Sequence, residues 1–150
     1  MRSTNALARI CRIVPLALLL AACATRRDSA TDPVGRYEVS KELESGQLRL
    51  DCDWACTASW GGARSKAAGL YASQLWGDLA AEVVRVGYGS DLTYFYLGRA
   101  AEGLGRNAAA AVYYRLALAS RSTCDGLVFN SCDGIAVAAQ AQAGLKRVAP

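Results

Sequence analysis

The order of hydrophobic and polar residues predicts that the stretch from Asp91 to Ser120 folds as two antiparallel helices. The first helix is Leu92–Leu104, whose apolar face recurs at the spacing of a 3.6-residue period. That face consists of Tyr94, Leu97, Ala101 and Leu104. Gly105 follows, and glycine is the residue that most easily adopts the left-handed conformation in which helices often end. Asn107 is a suitable N-cap, and Ala108–Ala119 is the second helix.

Small and large residues alternate on the facing sides of this hairpin. The small residues are Gly98, Ala101, Ala110 and Ala117. Such residues let two helix backbones approach closely, and the aromatic rings of Tyr94 and Tyr114 then fill the space beside them. The pattern therefore predicts a helical hairpin that stacks against further helices.

A longer amphipathic helix is predicted before the hairpin, over Ala63–Val86. Its apolar stripe is Ala68, Ala72, Leu75, Leu79, Val83 and Val86. Polar residues occupy the opposite side, as is typical of a helix that covers a core. Trp54–Gly62 favours a short helix that ends at Gly61, and Ser90 or Asp91 is expected to cap the hairpin.

The two ends of the domain are less regular. Tyr37–Lys41 and Gln47–Asp51 predict a short β-hairpin, because the second of these stretches alternates with period two; a tether that packs onto the first helix is the alternative. After the loop at 121–134, Asp133 is expected to cap a last helix, Ile135–Val148. The predicted fold class is all-α, a small antiparallel bundle of three to five helices over residues 37–150.

The hairpin residues resemble one unit of the tetratricopeptide repeat. With Asp91 as the first of 34 positions, Leu97-Gly98, Gly105 and the series Ala110, Tyr114, Ala117 match the repeat pattern. Tyr94, Ala101 and Ser122 stand where the repeat usually has tryptophan, tyrosine and proline. The related Sel1-like repeat fits the residues around Tyr113-Tyr114 equally well. Either resemblance implies a stacked helical domain that binds a protein or peptide.

The first 23 residues predict the destination of the chain. Three arginines precede the ten-residue apolar stretch Ile13–Ala22, which is too short to span a bilayer and is typical of a secretory signal. Leu20-Ala21-Ala22-Cys23 resembles a bacterial lipobox, which implies cleavage before Cys23 and lipid attachment to that cysteine. Ala24 follows in place of the aspartate that retains such proteins at the inner membrane. We expect a signal peptide at 1–22, a flexible tether at 23–36, and a lipid anchor in the outer membrane that faces the periplasm.

Loss of the signal peptide changes the charge of the protein. The complete chain has 17 basic and 13 acidic side chains. Residues 1–22 carry three of the basic side chains and no acidic one, so the mature chain keeps 14 against 13. A net charge of about +1 gives no support for nucleic-acid binding, which needs a dense basic surface.

The cysteines predict disulfide bonds. Cys52, Cys56, Cys124 and Cys132 remain after cleavage at Cys23, and an oxidising periplasm favours two bonds among four such cysteines. Local pairing is preferred, because each neighbouring pair encloses a short loop. Because a CxxxC pair in a regular helix does not easily reach disulfide geometry, pairing across the domain remains the alternative.

Nothing in the sequence indicates catalysis. There is no histidine, which removes the usual general base and the commonest metal ligand. The glycine pairs at 87–89 and 103–105 do not follow a strand in a βαβ unit, so neither is a phosphate loop. We expect a protein that is not an enzyme and uses no cofactor or metal.

These observations predict a lipid-anchored module that binds an unknown envelope protein or peptide. If the repeat resemblance holds, Phe95, Arg99 and Glu102 face the partner. For Phe95 the alternative is burial against the preceding helix, and for Arg99 and Glu102 it is a solvated ion pair. Two other functions are a structural or pilot lipoprotein of a secretion, pilus or cell-wall machine and, with less support, a peptidoglycan-acting enzyme.

Overall fold

A computed structural model describes residues 40–125 and 131–150, and the elements in these ranges are helical. The fold class is all-α, as the sequence predicted. The helices are α1 (40–45), α2 (Thr57–Ala72), α3 (Trp76–Val86), α4 (Asp91–Gly103), α5 (Asn107–Ala119) and α6 (Val137–Val148), with a 3₁₀ turn at Trp54–Cys56 before α2. No helix in these two ranges is both long and apolar enough to cross a membrane.

Helix α4 forms the centre of the domain. It packs against α3 on one side and against α5 and α6 on the other. Ten of its 13 residues are buried, including the eight consecutive residues Asp91–Gly98. A helix that is buried on nearly every side belongs to the core and exposes no long stripe to solvent. The predicted hairpin is confirmed as α4 and α5, with Gly105 in the left-handed conformation at a φ of 75°.

The start of α4 has the capping arrangement that the sequence predicted at Ser90. The Ser90 hydroxyl accepts a hydrogen bond from the Thr93 backbone N–H, and the Thr93 hydroxyl accepts one from the Ser90 N–H at 2.8 Å. This reciprocal pair satisfies two donors that a helix start otherwise leaves free. Asn107, in contrast, is the first residue of α5 and makes no capping bond, so that part of the prediction is wrong.

The single helix predicted over Ala63–Val86 is wrong, because the chain turns between Ala72 and Trp76. Gln74 adopts a left-handed φ of 56°. The Leu75 N–H then bonds to the Leu70 carbonyl and the Gln74 N–H to the Tyr71 carbonyl, which together close a Schellman motif. Leu75, expected in the apolar stripe, is instead half exposed at this turn.

The predicted break at Gly61 is also wrong. Gly61 and Gly62 lie inside α2, where both are exposed and have no neighbour within 4 Å of an added Cβ. The glycine pair weakens the helix without ending it, since a helix interior tolerates glycine at a cost of about 1 kcal/mol each. Burial of Trp60, Ala63 and Ala67 stabilises this helix against the core.

The prediction of an N-terminal β-hairpin is wrong for the residues that the structure describes. Residues 40–45 are helical, and Gln47–Asp51 forms no strand with them. Residues 47–51 instead run along the core, and Leu48 and Leu50 are buried there. The Tyr94 hydroxyl binds both the N–H and the carbonyl of Leu50, at 3.1 and 3.2 Å. The signal peptide at 1–22, the tether at 23–36 and the start of the predicted first strand lie outside the described residues.

The last helix begins two residues later than predicted, and Asp133 does not cap it. The N-cap of α6 is Ala136, which makes no side-chain bond. Asp133 has a left-handed φ of 50° and its carboxylate pairs with Arg64 of α2, 3.2 Å away. The aspartate therefore ties the loop before α6 to α2.

Both disulfide bonds join near neighbours, in agreement with the preferred local pairing. Cys52 is bonded to Cys56 and Cys124 to Cys132. The first pair reaches disulfide geometry because Cys52 lies in an extended segment that forms a parallel bridge to Tyr88, outside the helix. Both bonds lie near the start of α4: Cys52 bonds to the Gly87–Gly89 backbone, and the Cys124 N–H donates to the Asp91 carboxylate at 2.8 Å.

The domain therefore has two different ends. The disulfide end contains both bonds and the start of α4. The turn end contains the α2–α3 turn, the α4–α5 turn and the end of α6. These three segments meet there because the Trp76 indole lies directly against Gly103 and Arg147 binds Glu102.

Candidate functional site

The most unusual side-chain arrangement near the surface of the described residues is an arginine stacked on aromatic rings near the turn end. The guanidinium of Arg99 lies 5.4 Å from the centre of the Trp76 ring and 5.9 Å from that of Tyr71. The two rings meet edge to face, with their centres 6.3 Å apart. An arginine over aromatic faces is held by cation–π attraction, which strengthens as water is excluded.

The backbone brings these groups together. The Schellman turn after α2 places Tyr71, near the end of α2, and Trp76, at the start of α3, on either side of a three-residue connection. Trp76 can approach α4 closely because residue 103 is glycine, and any Cβ there would overlap the indole ring. The close approach of α3 to α4 therefore depends on Gly103 having no side chain.

Glu102 connects this arginine to the two following helices. Its carboxylate accepts hydrogen bonds from Arg99 at 2.8 Å and from Arg147 at 2.7 and 3.0 Å, and it also accepts one from the Tyr114 hydroxyl. Arg99, Tyr114 and Arg147 lie on α4, α5 and α6. We call the whole group the arginine–aromatic cluster, which consists of Tyr71, Trp76, Arg99, Glu102, Tyr114 and Arg147.

The ring of Tyr114 fits between two glycines. A Cβ on Gly98 of α4 would lie 2.6 Å from the ring, and a Cβ on Gly144 of α6 would lie 2.5 Å from its other edge. Real contacts are not this short, so both positions require glycine if the ring is to stay in place. The ring is buried, and its hydroxyl reaches Glu102 at the edge of the core.

The electrostatics of the cluster fix each charge at neutral pH. Burial would raise the pKa of Glu102, but hydrogen bonds from Arg147 and Tyr114 and the charges of both arginines outweigh it and lower the pKa to about 2. The hydrogen bond to Glu102 raises the pKa of Arg147 above its ordinary, already high value. Burial and the bond to Glu102 raise the pKa of the Tyr114 phenol.

These shifts bear on what the cluster can do chemically. A general acid or base works best when its pKa lies near the operating pH. The pKa of Glu102 is lowered and the pKa of Tyr114 is raised, so both lie far from neutral pH. The arrangement is therefore suited to binding, through a planar cation, aromatic edges and a carboxylate, and poorly suited to proton transfer.

The structure brings two of the three predicted partner residues together and excludes the third. Arg99 and Glu102 are partly exposed, at 24% and 17%, and they pair with each other. Phe95 is fully buried against the rings of Tyr71, Tyr96 and Tyr114. Its assignment to a partner surface is wrong, because α2 and α3 cover the side of α4 that an open repeat groove would expose.

Sequence reasoning missed most of the cluster. Arg147 was not predicted as a site residue, because it lies 45 positions after its partner Glu102. The contact of Trp76 with Arg99 could not be foreseen while residues 63–86 were taken as one helix. The sequence did predict that Tyr114 packs beside small residues that include Gly98. The second glycine against the ring, Gly144 of α6, was not identified.

A second polar contact joins α2 to the loop before α6. Arg64 pairs with Asp133. Burial raises the pKa of the nearby Tyr96 phenol, and the negative charge of Asp133 raises that pKa further. Within the described ranges, no group of three or more histidine, cysteine, aspartate or glutamate side chains is arranged to hold a metal ion.

Comparison with known proteins gives no relative for this chain. No family model matches it, no curated protein matches it, and no solved structure matches it.

Proposed function

We propose that this chain is a lipid-anchored periplasmic module that binds another envelope protein and catalyses no reaction. The observation that carries the proposal is the arginine–aromatic cluster. Tryptophan, tyrosine and arginine are the residues that dominate the binding energy of protein interfaces. Here they lie partly exposed near the turn end of the domain, in charge states that do not change near neutral pH.

The proposed location rests on two features that agree. Leu20-Ala21-Ala22-Cys23 has the form of a lipobox after a short apolar stretch, which supports a lipid on Cys23. The two disulfide bonds support an oxidising compartment, since cytosolic proteins rarely keep such bonds. Ala24 after the cysteine supports delivery to the outer membrane, with the domain in the periplasm.

The proposed binding mode keeps part of the resemblance to helical repeats. Helices α2–α3, α4–α5 and α6 follow one another as neighbouring antiparallel elements, which supports a repeat-like stack. The partner surface differs from the predicted groove. It is the edge of the stack where Arg99, Glu102 and Arg147 reach solvent, and Phe95 contributes from beneath by supporting Tyr71 and Tyr114 in the core.

Site-directed photo-crosslinking in cells tests this proposal. Ala143 is exposed and lies one helical turn before Arg147 on the same face of α6, so a crosslinking residue there leaves the cluster intact. Ala119, exposed at the end of α5, is the matched control. We expect a specific crosslinked protein from position 143 alone, lost when Cys23→Ala is combined with a soluble, cleavable signal so that the anchor is removed. The same products from both positions, or none from 143, would argue against binding at this edge.

A further inference from the structure

Two of the most exposed large apolar side chains lie in the two turns of the turn end. Leu75 is 50% exposed in the α2–α3 turn, and Leu104 is 44% exposed in the α4–α5 turn. The two turns are neighbours in space because Trp76, next to Leu75, lies against Gly103, next to Leu104. The Trp76 indole itself is only partly buried, so the turn end presents three apolar side chains that are at least partly exposed.

The chain also enters the domain at this end. Helix α1 is held against the α4–α5 turn by the pair Glu44–Arg106, 3.0 Å apart, and Ser40 lies one helical turn before Glu44. Sixteen residues separate Ser40 from Cys23, which when extended reach at most about 55 Å. A lipid on Cys23 would therefore be tethered to the end of the domain that carries the exposed leucines.

We propose that the turn end rests on the lipid bilayer that holds the anchor, with Leu75 and Leu104 inserted among the lipid headgroups. Trp76 would lie at headgroup depth, where tryptophan is enriched in membrane proteins. Arg106 of the α4–α5 turn and Arg147 near the end of α6 lie at the same end of the domain, paired with Glu44 and Glu102, and exposed Lys146 is next to Arg147 in the chain. Basic side chains at this level are attracted to anionic lipids. This inference rests on the proposed anchor and adds the orientation of the domain on the membrane.

The contact can be weak and still orient the domain. Two leucines bury little area, so the domain without its lipid is expected to bind vesicles poorly. A lipid anchor with a short tether holds the domain at a high effective concentration beside the bilayer, which turns a weak contact into an occupied one. The disulfide end then points away from the membrane, and Arg99 and Glu102 of the arginine–aromatic cluster lie just above the headgroups.

Fluorescence quenching by brominated lipids measures this contact in the full mature protein. The purified lipoprotein is reconstituted at low density into phosphatidylethanolamine–phosphatidylglycerol vesicles with or without bromine on the acyl chains, and its intact mass is recorded. Because Trp76 is one of three tryptophans, we expect bromine to remove up to about a third of the emission. Trp76→Phe should abolish the quenching, and the double variant L75Q/L104Q should reduce it at least twofold.

Leu118→Gln provides the matched control, since Leu118 is also exposed, at 39%, but lies near the other end of α5. It should leave the quenching unchanged, and circular dichroism confirms that each variant is folded. Quenching that persists in Trp76→Phe, or none in a protein whose mass shows the lipid, would overturn the orientation while leaving the anchor intact. A mass without lipid would overturn the anchor, and the orientation with it. A change in oligomeric mass in L75Q/L104Q, without quenching in the wild type, would assign the leucines to self-association.

Discussion

Glu102 accepts hydrogen bonds from Arg99 on its own helix, from Tyr114 on α5 and from Arg147 on α6. Isolated surface ion pairs contribute little, because solvent screens them and ordering two long side chains costs entropy. The carboxylate of Glu102 differs in being mostly buried and shared, so one ordered side chain serves three partners. Its removal leaves two arginines and a buried phenol without their acceptor.

The lowered pKa of Glu102 makes a prediction about stability and pH. Because its pKa is lower in the folded state, about 2, than the unperturbed 4.5, the ionised carboxylate stabilises the fold above pH 4.5. That contribution is lost as the pH falls towards 2. We expect Glu102→Gln to lower the free energy of unfolding by about 3 kcal/mol at pH 7 and far less at pH 2. Urea denaturation at both pH values measures the difference.

A matched control for this prediction is Glu44→Gln. The Glu44–Arg106 pair is exposed, at 41% and 49%, and its loss should change stability by no more than about 0.5 kcal/mol. If Glu102→Gln costs the same at both pH values, the effect comes from lost packing and the charge argument fails.

Gly98 is predicted to tolerate no side chain, although it lies in the middle of a helix. Alanine normally stabilises such a position by about 1 kcal/mol, but a Cβ at Gly98 would lie 2.6 Å from the Tyr114 ring. Displacing a packed ring costs about 1–3 kcal/mol, so Gly98→Ala should lower the free energy of unfolding. Gly62→Ala, with no neighbour within 4 Å, should raise it. Chemical denaturation of both variants measures the difference, and an equal gain for both would show that the ring moves freely.

At the scale of elements, the turn between α2 and α3 decides the shape of the turn end. It has the hydrogen bonds of a Schellman motif, but Gln74 occupies the left-handed position that glycine usually takes. A side chain in this conformation costs roughly 1 kcal/mol. The helices stay bent here because Trp76 of α3 packs on Gly103, a contact that a straight helix would prevent.

This geometry makes Gln74 a site for stabilisation. Gln74→Gly should raise the free energy of unfolding by up to about 1 kcal/mol, because glycine adopts a φ of 56° without a Cβ clash. Gln74→Ala keeps the clash and should give no gain. Thermal and urea unfolding of the two variants, compared with the wild type, check the result, and equal effects would show that the turn carries no strain.

Local signals in the sequence predicted the elements that they specify. Ser90, Gly105 and the apolar spacing of the hairpin gave α4 and α5 within one residue, because caps and periodicity act over a few positions. The α2–α3 turn was missed, since its left-handed residue is a glutamine and the apolar stripe continues through Leu75. The pairing of neighbouring cysteines was predicted, but the extended segment that makes Cys52–Cys56 possible depends on Tyr88, 36 positions after Cys52.

The arginine–aromatic cluster was beyond sequence reasoning for a different reason. Arg99 and Glu102 were identified from the helix face that they share, one turn apart. Their other partners are set by the packing of α3, α5 and α6 on α4, and no local pattern encodes it. Phe95 was misassigned because the repeat resemblance implies an open groove, whereas α2 and α3 close that side of α4 in this chain.

At the scale of the whole molecule, the two ends have different chemistry. The disulfide end contains both covalent links, the capping box of α4 and the buried carboxylate of Asp91, whose pKa is raised by burial. The turn end has neither disulfide bond, and it carries exposed leucines, the stacked arginine and the entry of the chain from Cys23. We infer that the disulfide end is directed into the periplasm and that the turn end makes the contacts with the membrane and with the partner protein.

The proposed location, partner surface and orientation all depend on a lipid at Cys23. The lipobox resemblance implies a diacylglycerol on the Cys23 thiol and an acyl chain on the new amino terminus. Three acyl chains hold a protein on a bilayer far more firmly than a single chain, whose binding is marginal and reversible. Without the acyl chains, the tether would not hold the domain at the bilayer. Only the weak contact of two exposed leucines would remain. The anchor is therefore the central claim.

Intact mass spectrometry of the protein purified from membranes tests that claim most directly. We predict a polypeptide that begins at Cys23 and carries the added mass of acyl chains. A Cys23→Ala variant exported with a soluble, cleavable signal in place of residues 1–22 should lack this mass and leave the membrane fraction. A wild-type protein that keeps residues 1–22, or that begins at another residue with no added lipid, would contradict the account.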